Sequence, residues 1–272
     1  MTAHTLASAL LVAFSFTGIL WVMGLVRLAP ERLWPAHEAR PAGDRLNLLV
    51  WLAFMVAQLA AVPALGGVTV LAVNAAGGGL IVLPSGGWSL VWGFVLYVLV
   101  VDLGEYAFHR VQHAIPAMWA MHSLHHSDPH FDSTTAVRHF WAEPVIKSLT
   151  IGLLAGLLFK ASPAVIGLYT ALSFYNAVIH SNTRLDFGRA TWLLNSPAYH
   201  RLHHSILPEH WDCNFAALLP IWDVIFATYH RPRPDERPHT GLDTGEAPQS
   251  PTEALLWPVR NLLKRPSKGL VA

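Results

Sequence analysis

LNLLVWLAFMVAQLAAVPALGGVTVLAVNAAGGGLIVLPSGGWSLVWGFVLYVLVV, residues 46–101, is a run of 56 residues without one Asp, Glu, Lys or Arg. Water-soluble domains do not expose such a run, whereas a bilayer takes up about 20 apolar residues per helical crossing. Lipid offers the backbone no hydrogen-bond partner, so a spanning segment must satisfy its own N–H and C=O groups as helix. The run divides at NAAGGG (74–79) and PSGG (84–87), which predicts two spans, about 46–72 and 85–105. Upstream, LASALLVAFSFTGILWVMGLV (6–26) predicts another span, since no basic segment precedes it and it exceeds the ~7–15 apolar residues of a secretory signal.

Downstream, an apolar hairpin is expected over 145–180. Its first arm, SLTIGLLAGLLF (148–159), is too short to cross. Basic residues orient the bundle: the 27–45 loop carries Arg27, Arg32, Arg40 and Arg45, the 74–87 turn carries none, and residues 181–272 carry 10 Lys or Arg. The basic segments, and with them the C-terminus, are expected on the cytoplasmic side. The Pro-rich stretch from Arg231, RPRPDERPHTGLDTGEAPQSP, predicts an extended polar tail over about 233–272. The expected fold is all-α: one domain over 1–272, an integral-membrane helical bundle with a cytoplasmic helical cap.

The 18 basic and 17 acidic residues leave a net charge of +1, which gives no general attraction for nucleic acid. A lone cysteine, Cys213, excludes an internal disulfide framework and a Cys-ligated cluster, and is read as a packing residue. Histidine is the outlier, with 16 copies, 13 of them between His109 and His230. They fall into HRVQH (109–113), HSLHH (122–126), NAVIH (176–180) and HRLHH (200–204). An HxxHH pattern is expected about 0.05 times by chance at this histidine content, so two copies are a signal. Positions i, i+3 and i+4 share one helix face, so each group aims its imidazoles at one point. Neutral imidazole suits iron, zinc, copper or nickel.

A tetrahedral site takes about four ligands, so nine histidines imply two metals. The candidate metal ligands are His109, His113, His122, His125, His126, His180, His200, His203 and His204; all but His180 are also the candidate catalytic residues. His4, His37, His130, His210, His230 and His239 are read as structural. All-histidine ligation leaves the charge of the metals to nearby carboxylates. Asp102, Glu105, His109 and His113 share one helix face, while Asp128, Glu143, Glu209 and Asp212 flank the other groups.

Taken together, DLGEYAFHRVQH (102–113), MHSLHHSDPHFDSTTAVRHFWAEP (121–144), NAVIHSN (176–182) and SPAYHRLHHSILPEHWDCNFAALLPIWDVIFATYHRP (196–232) resemble the fatty acid hydroxylase and sterol desaturase superfamily of membrane di-iron oxygenases. The resemblance covers about residues 98–232. It implies two iron ions, with zinc possible in purified protein, and dioxygen as co-substrate. The implied reaction is hydroxylation or desaturation of a lipid C–H bond. Asp102 and Glu143 are, on the resemblance, the carboxylates set behind the ligands. Asn176 and His180 stand where some members carry a further HxxxH pair, which leaves Asn176, a water or nothing in that place. Arg138 and Glu143 match the family, but His139 lies one position early, which leaves it outside the carried-over set.

No GxGxxG, Walker or flavin motif is present, so electrons are expected from a separate reductase with a ferredoxin or cytochrome-type carrier. The expected partners are that donor and a lipid drawn from the bilayer, with Trp119, Trp141, Trp192, Trp211 and Trp222 as interfacial aromatics. Two other functions use the same residues: a membrane protein that transports or stores metal, and a surface di-zinc hydrolase.

Overall fold

The computed structural model describes residues 3–38, 41–60 and 66–263. In chain order these form helices α1 (Ala3–Leu28), α2 (Pro30–Leu33), α3 (Pro41–Ala60) and α4 (Gly66–Ala75), strand β1 (Ile81–Val82), and helices α5 (Ser89–Ala114), α6 (Pro116–His126), α7 (Ala142–Lys147) and α8 (Leu153–Leu158). Strand β2 (Phe159–Lys160) follows, then α9 (Pro163–Ser173), α10 (Tyr175–Ile179), α11 (Pro197–His203), α12 (Ile221–Ile225) and α13 (Pro251–Leu263). The fold is mostly helical. Among the described residues its one sheet is β1 paired in parallel with β2 over two residues.

Among the described residues, Ser8–Leu33 and Ser89–Ala114 are long and apolar enough to cross a bilayer. They overlap the expected spans 6–26 and 85–105. α5 continues past 105 to Ala114, and so carries His109 and His113 off its apolar end. The expected span 46–72 is instead two helices, α3 and α4; residues 61–65 between them lie outside the described residues. In the sequence, Pro63 of that interval and Gly66–Gly67 at the start of α4 disfavour one continuous helix. The 10 residues of α4 reach about 15 Å, half the hydrocarbon thickness.

α4 packs on α8 and on the π-helical turn Ser148–Gly152 that joins α7 to α8. Asn74 secures the turn beyond α8, donating to the carbonyls of Gly156 (2.8 Å) and Phe159 (2.9 Å) and accepting from Ala161 N–H (2.8 Å). Gly79, at φ +102°, lies where a Cβ would meet Lys160 N at 2.6 Å, so a side chain there would part β1 from β2.

One core joins α4, α5, α8 and α9 through Val70, Tyr97, Val101, Ala155, Phe159 and Val165. Another packs Met23 of α1 and Trp51 of α3 against Ala136, Val137 and Ala177. In lipid, which is as apolar as these side chains, close packing rather than exclusion from water holds such cores together. The expected extended tail ends in a helix. α13 packs on α6 and α3, with Trp257 fully buried beside Val50, Phe54 and Leu124, and its indole N–H donates to Ser123 Oγ at 3.0 Å. Residues after Leu263, like the 39–40 pair, lie outside the described part.

Candidate metal centre

Local chemistry places each histidine group. Ile115 is extended, which breaks α5, and Pro116 starts α6, so His109 and His113 face His122, His125 and His126 across a tight corner. Ser196 caps α11 by accepting from Tyr199 N–H at 3.2 Å, and Pro197 takes the first helical position. That short helix presents His200, His203 and His204. His180 stands at the C-terminus of α10.

The nine histidines gather into two sets. His109, His113, His122, His126 and His203 bring ligand atoms within 4.8 Å of one another, and so do His125, His180, His200 and His204. The rings of His126 and His204 stack at 4.3 Å and join the sets. Nδ1 of His109 contacts Phe215 O, of His203 contacts Cys213 O, and of His180 contacts Asn176 O, each at 2.7 Å. Nδ1 of His122 contacts Glu143 Oε2 at 2.8 Å. Carbonyl and carboxylate oxygens only accept, so these four Nδ1 atoms carry the proton and leave Nε2 a bare lone pair.

Those lone pairs face other ring nitrogens. Nε2–Nε2 distances are 3.0 Å for His109–His122 and His203–His109, 2.9 Å for His200–His180 and 3.1 Å for His180–His125. In the His109–His122 and His203–His109 pairs both lone pairs are bare and repel at that range, whereas nitrogens about 2.1 Å from one shared cation, set at right angles, lie about 3.0 Å apart. His204 has neither nitrogen paired, and Nδ1 of His125 and of His200 is also orphaned, although all are buried. The donor set therefore fits two cations. Burial and the neighbouring imidazoles hold His125, His126, His200, His203 and His204 well below the usual imidazole value, so they are neutral and ligand-competent at pH 7.

Groups behind the rings fix their aim. Glu143 Oε2 also accepts from Gln112 Nε2 at 2.6 Å, and Oε1 accepts from Phe140 N–H at 2.9 Å. Burial alone would push Glu143 up, but the bonds from His122 and His139 outweigh it and hold the carboxyl below its usual range. Burial likewise pulls His122 down, to about 4, against the Glu143 bond. Asp212 lies 3.4 Å from His113 Nδ1. Asp102 touches no histidine; it accepts from Leu218 N–H (3.1 Å), Leu219 N–H (3.0 Å) and Trp222 Nε1 (2.9 Å), tying α5 to the turn before α12. Glu105 pairs with Lys147 at 2.6 Å. His139 stacks on His125 at 4.2 Å, 3.6 Å from Glu143, so it joins the site as a neighbour of ligands. The Asn176 side chain reaches Ala136 O at 3.5 Å, while its carbonyl holds His180.

Three positioning residues were not singled out for these roles from sequence. Gln112 is one. Asp223, within IWDVIFATY, accepts from Phe215 N–H (2.8 Å), Ala216 N–H (2.8 Å), Tyr199 Oη (2.7 Å) and Thr228 Oγ1 (2.7 Å), and thus fixes the loop whose carbonyls hold His109 and His203. Arg138, fully buried, donates to Leu124 O (3.0 Å), Asn47 Oδ1 (2.8 Å) and Ser127 Oγ (2.9 Å) at the end of α6. Its charge is balanced by buried Asp128, which accepts from Asn47 and Thr135 at 2.7 and 2.8 Å.

A cavity of about 430 Å³ opens onto the centre. His109, His122, His125, His180 and His200 line it together with Ile19 of α1, Phe108 of α5 and Leu172 of α9, and Asp102, Glu105 and Lys147 also border it. Two sets of histidines able to hold metal ions, bordering one cavity in a fold with two helices long and apolar enough to cross a bilayer, are the arrangement of a membrane-type, histidine-box protein.

Residues 94–228 match the fatty acid hydroxylase family model. Through this domain the chain belongs to the fatty acid hydroxylase and sterol desaturase superfamily. It is 35% identical over 151 residues to alkylglycerol monooxygenase of Xenopus tropicalis, covering 55% of this chain and 32% of that protein. It is 26% identical over 145 residues to an ornithine lipid hydroxylase of Rhizobium tropici (53% of this chain, 44% of the relative). It is 25% identical over 156 residues to a delta(7)-sterol 5(6)-desaturase of Gibberella zeae (56% and 46%). The chain thus spans about a third to a half of the length of these curated relatives. No solved structure matches it.

Proposed function

We propose that this chain is an O2-dependent di-iron oxidoreductase of the membrane that hydroxylates or desaturates a C–H bond of a lipid. The observation that carries this reading is the cavity, which five of the nine histidines line together with apolar side chains of α1, α5 and α9. An acyl chain or sterol reaches such a pocket from the bilayer without crossing water. The named relatives act on an alkylglycerol, an ornithine lipid and a sterol, which favours an amphiphile with its polar head at the interface.

The chain's own residues prepare the chemistry. Phe215 O, Cys213 O, Asn176 O and Glu143 hold four rings with Nε2 turned inward, and burial keeps the imidazoles unprotonated. His109, His113, His122, His126 and His203 would hold one iron; His125, His180, His200 and His204 would hold the other. When bound, the two ions supply dioxygen activation with two external electrons and two protons, so that R–H + O2 + 2e⁻ + 2H⁺ gives R–OH + H2O, or loss of two hydrogens gives a double bond and two waters. The cavity orients the substrate, and its apolar side chains limit water. The electrons come from a separate ferredoxin- or cytochrome-type carrier, on the cytoplasmic side where the basic loops set the histidine cap.

The test is mass spectrometry of lipid extracts from cells with and without the protein, with His203→Ala as control. A lipid one oxygen heavier or two hydrogens lighter, found with the wild type alone, is expected. No lipid difference in cells whose protein carries iron and receives reductant would overturn the reading and favour metal handling.

A further inference from the structure

Away from the nine-histidine centre, His210, His230 and Glu236 bring three donor atoms within 4.8 Å of one another. They come from three stretches of chain: the 3-10 turn Pro208–His210, the segment after α12, and the Pro-rich tail. Their aim is fixed from behind. His210 is buried, and its Nδ1 lies 3.0 Å from Ser205 Oγ, which turns Nε2 toward Glu236 Oε1 at 3.3 Å. Glu236 Oε2 accepts Arg233 N–H at 2.9 Å, which leaves Oε1 to face the histidine.

His230 is held by its backbone: its N–H donates to Asn214 Oδ1 at 2.7 Å and its carbonyl accepts from Asn214 Nδ2 at 2.9 Å. Its ring stands edge-on to His210, centroids 5.0 Å apart, with no hydrogen bond to either ring nitrogen among the described residues. Donors about 2.0–2.1 Å from one tetrahedral ion lie about 3.4 Å apart, close to the separation His210 and Glu236 already have. Ligands braced by second partners are the usual architecture of a metal site.

We propose that His210, His230 and Glu236 form a third metal site, for a zinc-class divalent cation, separate from the two histidine sets. Two imidazoles and a carboxylate suit zinc, with water in the fourth position. The site has a structural consequence. Ser205 directly follows His204 and pairs with Thr240, and Gly241 N–H donates to His204 O at 3.2 Å. An ion at His210 and Glu236 therefore fastens the tail a second time to the turn that leaves the last histidine box, and lowers the entropy of the loop between them.

The competing account is a plain hydrogen bond from His210 Nε2–H to Glu236. Metal content decides between them, measured on the full chain in detergent after incubation with Zn²⁺ alone and gel filtration. The wild type, His230→Gln and Glu236→Gln are compared, with His125→Ala marking loss from the main centre. Both tail variants are expected to hold one ion fewer than the wild type, to elute at the wild-type volume and to keep lipid oxidation. His125→Ala is expected to retain the third site, so that adding Glu236→Gln to it removes one further ion. Equal zinc in the wild type and the eluting Glu236→Gln variant overturns the proposal. Glu236→Gln keeps the size of a partly exposed side chain, so it separates ligand loss from misfolding.

Discussion

Replacing Glu143 by glutamine tests whether the tautomer of His122 is set from behind. The carboxylate receives three short bonds, from His122 Nδ1 (2.8 Å), Gln112 Nε2 (2.6 Å) and Phe140 N–H (2.9 Å). An amide has one oxygen and one NH2, so in either flip an N–H is set against an N–H. His122 could relieve the clash by moving its proton to Nε2, but that removes the lone pair which faces His109 at 3.0 Å. Losing such a partner typically weakens metal binding 10- to 100-fold, about 1.4–2.7 kcal/mol. The assay is competition of the metal against a chromophoric chelator. Glu143→Gln should show one weakened equivalent, from the five-histidine set, with the second unchanged. Two equivalents bound within threefold of the wild-type affinity would refute the reasoning.

Other predictions follow from burial. The metal-free protein should lose stability as pH falls below about 6.5: the unfolded imidazoles then take protons, while folded His122, at about 4, does not, which costs up to about 3 kcal/mol from this residue. Thermal melts between pH 8 and pH 4 check this, and a flat melting temperature would contradict it. Arg138→Met leaves Asp128 buried without its counter-charge and should cost about 3–5 kcal/mol in denaturant melts; a loss under about 1 kcal/mol would mean that Asn47 and Thr135 suffice. Ser173→Trp, at an exposed position on the cavity wall, should lower lipid product while bound metal stays constant by elemental analysis.

What could be read from the chain was what is local and periodic. The HxxxH and HxxHH spacings show which rings share a helix face, and the uncharged runs show where α1 and α5 lie. Three features depended on packing instead. The break between α3 and α4 lies inside one apolar stretch, where hydropathy marks no boundary and only Pro63 with its glycines hints at one. The α13 helix escaped because its buried residues, Ala254 and Trp257, follow a proline-rich polar stretch and share the helix with Pro258. The division into sets of five and four needs tertiary structure, since His122, His125 and His126 lie on one helix yet serve both sets. Asp223 was visible within its motif, but its hold on the loop carrying Phe215 O emerges only once that loop folds over α11.

The placement of Trp257 sets an order on biogenesis. Its seat lies behind α6, bonded to Ser123, one residue from His122. Both histidine sets need residues from the 200–204 box, and the support behind α6 arrives only when residue 257 does. During synthesis, His109 to His126 therefore exist for some time as unsupported imidazoles beside a bilayer, able to capture whichever metal the cell leaves most available.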